Sequence, residues 1–179
     1  MNESGEIVVD ESAFAAKVGT KYFNDLQDAI IEAAPAGTVE ILNDVVVDEW
    51  VMFAEAMTIG NGNLITLNIS GLTINGNGHS LTINSIESAG NGNRLFYDAA
   101  NLNIYDLTIE YADGVAGGIG LQSGELKNVS FIGGVYGVFP GAGEVTIEGC
   151  DFKTNGSSIY FEEDRDHLVV TGNTFENPA

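Results

Sequence analysis

The densest run of potential ligand atoms in this chain of 179 residues is Glu162-Glu-Asp-Arg-Asp-His167. Glu162, Glu163, Asp164 and Asp166 could offer carboxylate oxygens to Ca²⁺, a hard cation that gathers several at once. The run lacks the ligand spacing and central glycine of a helix-loop-helix calcium loop. Its plain alternative is a solvated turn in which Arg165 pairs with its acidic neighbours. Two separated carboxylates can hydrolyse a glycosidic bond, and Asp106, Asp113 and Asp151 are the candidates. Asp106 falls at a bend and Asp151 at an outward strand position, so each has a structural explanation. A basic side chain can start a β-elimination by removing a proton. Bases are few: Arg94, Arg165, Lys17, Lys21, Lys127 and Lys153. Arg94 lies in a Gly/Asn-rich stretch and reads as a turn residue. His79 and His167 are too far apart in sequence to give a metal signature. Cys150 sits at an inward position and reads as a buried, inert thiol. No residue is assigned a catalytic role.

Aromatic side chains suggest binding instead. Tyr97, Tyr105, Tyr111, Tyr136, Tyr160 and Trp50 are too many for one narrow interior. Alternation turns Tyr105 and Tyr160 outward, and these two with Trp50 are the candidate ligand-binding residues. An exposed ring face is a surface on which a sugar can stack.

Composition narrows the partners. There are 6 Lys+Arg against 26 Asp+Glu, a net charge of -20. Such a field repels nucleic acid and anionic lipid. It also opposes polyanionic substrates unless a cation bridges them. No apolar run is long enough to span a membrane. A single cysteine permits no internal disulfide. The opening residues are polar and acidic, unlike a secretory signal.

The elements that must position these groups announce themselves as a repeat. Ile104-Tyr-Asp-Leu-Thr-Ile109 recurs as Leu126-Lys-Asn-Val-Ser-Phe131, Ile147-Glu-Gly-Cys-Asp-Phe152 and Val170-Thr-Gly-Asn-Thr-Phe175, at spacings of 22, 21 and 23. An earlier copy is read at Ile69-Ser-Gly-Leu-Thr-Ile74. The third position of each copy (Gly71, Asp106, Asn128, Gly149, Gly172) takes residues that tolerate positive φ. A bend there separates two short strands. The fourth position predicts one interior column of Leu72, Leu107, Val129, Cys150 and Asn173, with Asn173 hydrogen-bonded to turn backbone. A third strand precedes each copy: Leu95-Phe-Tyr97, Ile119-Gly-Leu121, Gly137-Val-Phe139 and Ile159-Tyr-Phe161. Three strands and three turns per repeat predict an all-β, right-handed parallel β-helix of about six coils. Leucine-rich repeats share the period, but their signature and helical segment are missing.

Residues 1–17 read as a polar leader and 18–179 as a single domain, with coils from about 39 to 177. A helix is expected over 24–35, capped by Asn24 with Gln27 three residues on. Its apolar face is Leu26, Ala29, Ile30 and Ala33, a natural lid for the first coil. Nothing in the sequence caps the last coil. The expectation there is a continuing domain or self-association.

The stretch Gly71-Leu-Thr-Ile-Asn-Gly-Asn-Gly-His-Ser-Leu-Thr-Ile83 resembles the early coil of pectate-lyase-like β-helix proteins. The segments beginning at Ile147 and Val170 resemble the generic coil of that family. The opening from Val18 to Leu42 is similar to a segment that precedes β-helices in large surface proteins of gut bacteria. The resemblance implies an extracellular, cell-surface module: a stalk, or an adhesive domain with glycans or a host surface as partner. It equally allows a polysaccharide lyase, a glycoside hydrolase or an oligomeric tailspike, because the fold hosts all of these. No cofactor is expected other than Ca²⁺ at the acidic turn.

Overall fold

The structure, a computed structural model, describes residues 9–54, 67–87, 94–154, 156–161 and 167–176. It is all-β in character, with mostly parallel stacked strands and a single α-helix among the described residues. Apolar or β-branched residues at every second position suit strands buried on one face.

The chain visits three sheets in turn. The first sheet runs in parallel through Thr38–Ile41, Thr73–Asn75, Leu102–Tyr105, Gly124–Lys127, Val145–Glu148 and Leu168–Thr171. The second runs through Val45–Val47, Ser80–Ile83, Thr108–Tyr111, Ser130–Ile132, Asp151–Lys153 and Thr174–Phe175. The third runs through Phe53–Ala54, Phe96–Ala99, Ile119–Leu121, Tyr136–Pro140 and Ser157–Ile159. Each pass of the chain lays its strands beside those of the pass before, an arrangement compatible with a β-helix. A short extra pair, Trp50–Val51 with Ile86–Glu87, accompanies the first two passes.

Register follows the repeat. Ile104, Leu126, Ile147 and Val170 pair in series across the first sheet. Ile109, Phe131, Phe152 and Phe175 do so across the second. The phenylalanines stack as near-parallel plates, with centroids 5.0 and 5.2 Å apart. Between the sheets, Asp106, Asn128, Gly149 and Gly172 all adopt φ between 51 and 66°. That left-handed residue turns the chain from one sheet to the next. The flanking register brings Leu107, Val129, Cys150 and Asn173 to one position, and the first three are buried. Asn173 Oδ1 accepts from the Cys150 N–H at 2.7 Å, and its Nδ2 donates to the Ile147 carbonyl at 2.9 Å. One amide side chain thus satisfies two main-chain groups at the preceding bend.

The earliest copy sits elsewhere. Ile74 pairs with Ile104, not with the position of Ile109. Leu72 therefore belongs with Leu102, outside the Leu107 column. Gly71 (φ 150°) lies ahead of the first sheet, and the bend is instead built from 76–79, with Asn77 and Gly78 at positive φ. A slip of one whole strand preserves the apolar alternation, so the pattern alone did not reveal it.

The front end also differs. The helix is Leu26–Ala33, capped by Asp25, whose carboxylate accepts from the Gln27 and Asp28 N–H groups. Asn24 stands one residue too early for that reach. Leu26, Ala29, Ile30 and Ala33 are buried, as their spacing requires. They pack on Thr38–Ile41 and on a hairpin not anticipated from sequence, Ala16–Val18 with Lys21–Phe23. Ala16–Val18 lies antiparallel on Thr38–Ile41 and covers that edge of the first sheet. This strand crosses the expected boundary between leader and domain.

At the other end, interior-type side chains meet solvent. Val170 is 42% exposed although its partner Ile147 is fully buried, and Phe175 is 53% exposed. Removing a ring from the middle of the stack leaves a cavity, whereas removing the exposed ring does not. Phe152→Ala is expected to cost about 3–5 kcal/mol in urea unfolding, and Phe175→Ala far less. Asn173→Ala should cost about 1–3 kcal/mol by leaving the Cys150 N–H and Ile147 carbonyl without partners. Faster amide exchange at Cys150 would report that loss directly.

Candidate functional site

The three aromatic candidates do not meet. Trp50 is a correction: it is 1% exposed, packed edge-on against Phe53 and Phe96, with its indole N–H donated to the Leu95 carbonyl at 3.0 Å. An apolar ring with one satisfied donor belongs inside, and it presents no face to a ligand. Tyr105 lies on the outer side of the first sheet. Its hydroxyl donates to Glu125 at 2.8 Å. Burial, then that bond, pushes its pKa up, while Lys127 holds the Glu125 carboxyl below its usual range. Tyr105 is thus tied into a polar network with Glu125, Lys127 and Glu148.

Tyr160 is the exception. It follows the last strand of the third sheet, is exposed, and joins a cluster that sequence reading did not assemble. Tyr136, Phe139 and Tyr160 are in mutual ring contact, with centroids 4.8, 5.6 and 5.8 Å apart. The strip continues through Arg94, whose guanidinium carbon stands 3.7 Å from the Phe139 centroid and 5.1 Å from that of Tyr97. These groups run across four successive strands of the third sheet, about 14 Å at the usual strand spacing.

Glycines make room for the strip. Gly120 pairs with Phe139, while Tyr97 and Asp98 together oppose Gly120 in a bulge where Asp98 takes φ 51°. A Cβ on Gly118 would come within 2.7 Å of the Phe139 ring, so the ring lies where only glycine fits beneath it. Gly118 is held in turn by its N–H, which donates to the Tyr111 hydroxyl at 3.0 Å. Tyr111 is fully enclosed, and burial drives its pKa well above the usual phenol range.

The electrostatics of Arg94 are unlike those of the four lysines. Lys17 pairs with Glu11 and Glu40, Lys21 with Glu32, Lys127 with Glu125 and Glu148, and Lys153 with Glu176. Among the described residues, Arg94 has no carboxylate within salt-bridge reach, and its buried Nε makes no hydrogen bond. Among the described residues it rests on the ring faces of Phe139 and Tyr97.

The remaining candidates are dispersed. Asp106 accepts from the Asn128 amide at 2.9 Å in the bend column, while Asp113 and Asp151 are exposed on other segments. His79 stands 3.5 Å from Asp44, and His167 is exposed. Glu162, Glu163, Asp164 and Asp166 lie outside the described residues. No group of three or more His, Cys, Asp or Glu side chains gathers as a metal site among the described residues. No described helix is long and apolar enough to cross a membrane.

The sequence did carry a signal for the strip. The third-strand segments Ile119-Gly-Leu121 and Gly137-Val-Phe139 set Gly137 over Ile119, but Ile119 pairs with Val138. A slip of one residue exchanges the two faces of a strand, and the observed pairing puts Val138 inside with Ile119 and Phe139 on the other face. The adjacent apolar pair Val138 and Phe139 satisfies either register.

No protein-family model, curated protein or solved structure matches the chain.

Cys150 is fully buried, and burial, the largest influence on it, pushes its thiol pKa up. The native protein should leave a thiol reagent unreacted near pH 8, and one thiol should appear on unfolding. Rapid reaction of the native protein would show that the column opens.

Proposed function

We propose that this chain is a right-handed parallel β-helix module of the pectate-lyase-like kind, with Leu26–Ala33 as the lid of its first coil. On this reading it works without catalysis on the surface of a bacterium, as a stalk or adhesive domain, and holds a glycan against the third sheet. The fold part rests on three parallel sheets built one strand per pass. The functional part rests on one observation, the outward strip of Tyr97, Arg94, Phe139, Tyr136 and Tyr160. Aromatic rings bound to a rigid sheet lose little entropy when a sugar stacks on them.

A polysaccharide lyase or hydrolase is the second reading, favoured only by the resemblance of the early coil. It needs a base or a carboxylate pair beside a bound sugar; the five strip residues include no carboxylate, and Arg94, a candidate base, rests on ring faces. The open last layer belongs to the same proposal as the place where a following domain or another copy attaches. Exposed Val169, Val170, Phe161 and Phe175 support it.

Glycan-array binding and calorimetry test the main reading. Saturable binding that falls at least about ten-fold in Tyr160→Ala, with unfolding midpoint unchanged, is the expected result. A rise in ultraviolet absorbance from unsaturated product on oligogalacturonate or alginate would favour the lyase. Absence of any glycan binding would leave the stalk role.

A further inference from the structure

We propose that Arg94 is the recognition group for a single carboxylate, carried by a ligand whose ring lies on the neighbouring aromatics. The inference deepens the glycan-binding reading and rests on it. It begins with an accounting of cations. In a chain of net charge -20, each described lysine is neutralised by at least one carboxylate. Arg94 is not, and no described side chain or main-chain oxygen accepts from it. A guanidinium carries a planar fork of N–H donors matched to a carboxylate. Its flat face can rest on a ring while the fork remains available to a ligand. Phe139 takes such a face at 3.7 Å. A buried donor without a partner is rare and calls for an explanation. A ligand oxyanion at the guanidinium would answer its charge, which no carboxylate among the described residues does.

The surroundings limit the ligand to one charge. Arg94 is the only cation of the strip among the described residues. Asp98, exposed in the bulge beside Tyr97, would repel a second carboxylate, as would the field of the whole chain. The ligand class is therefore a sugar or similar ring compound with an isolated carboxylate, not a polyanion. Tyr136 and Tyr160 offer ring faces for its uncharged part.

The chain has two arginines, Arg94 and Arg165. An Arg165→Lys variant therefore shows one arginine Nε–H signal by ¹⁵N NMR. Titration with methyl glucuronide, which has one carboxylate, is expected to move that signal saturably. Methyl glucoside, without one, should leave it in place and bind about ten-fold more weakly. Raised salt should weaken glucuronide binding, and Arg94→Gln should reduce it to the glucoside level. Equal binding of the two sugars, lost in Tyr160→Ala but not in Arg94→Gln, would overturn the carboxylate assignment and leave the glycan face standing. No binding of either sugar, together with a negative array, would overturn both.

Discussion

Main-chain hydrogen bonds between successive passes of the chain set everything else. Parallel pairing at one strand spacing places each residue directly over its counterpart one repeat earlier, so every column must tolerate its own repetition. Phenylalanine does so by stacking flat, as Phe131, Phe152 and Phe175 show. The bend column does so with residues that accept positive φ, passing from Asp106 and Asn128 to Gly149 and Gly172. An asparagine amide imitates the main chain, as Asn173 does at the bend of the pass before.

The same constraint shapes the charged surface. Like charges stacked at one strand spacing repel, and a strongly acidic chain must avoid that on every outward column. On the first sheet, Lys127 sits between Glu125 and Glu148, and Tyr105 donates to Glu125 from the pass before. Lys17 lies between Glu11 and Glu40 in the same way at the front end. Lys17 and Lys127 thus act as spacers between carboxylates. Arg94 departs from that pattern, since rings rather than carboxylates surround it.

Glycine has a positional role in this architecture. Where an outward column has no side chain, a neighbour can lean into the gap. Gly118 leaves the floor on which Phe139 lies, and Tyr111 anchors that floor from within through the Gly118 N–H. The aromatic strip is therefore a property of four passes together, with support from a buried tyrosine of the second sheet.

By itself the sequence determined the period, the strand content, the bend residues and the apolar face of the first helix. Each of these follows from residue type at short spacing, which local sterics and hydrophobic periodicity govern. Tertiary structure alone decided the register between passes, because apolar alternation is satisfied equally well by a slip of a residue or of a strand. It moved Ile74 from beside Ile109 to beside Ile104, and it set Phe139 beside Gly120. It also added the antiparallel hairpin at Ala16–Phe23, whose strands are too short to carry a pattern. Trp50 could have faced either way, whereas alternation already turned Tyr160 outward. Main-chain pairing between passes and the packing of their neighbours enclosed one and left the other in solvent.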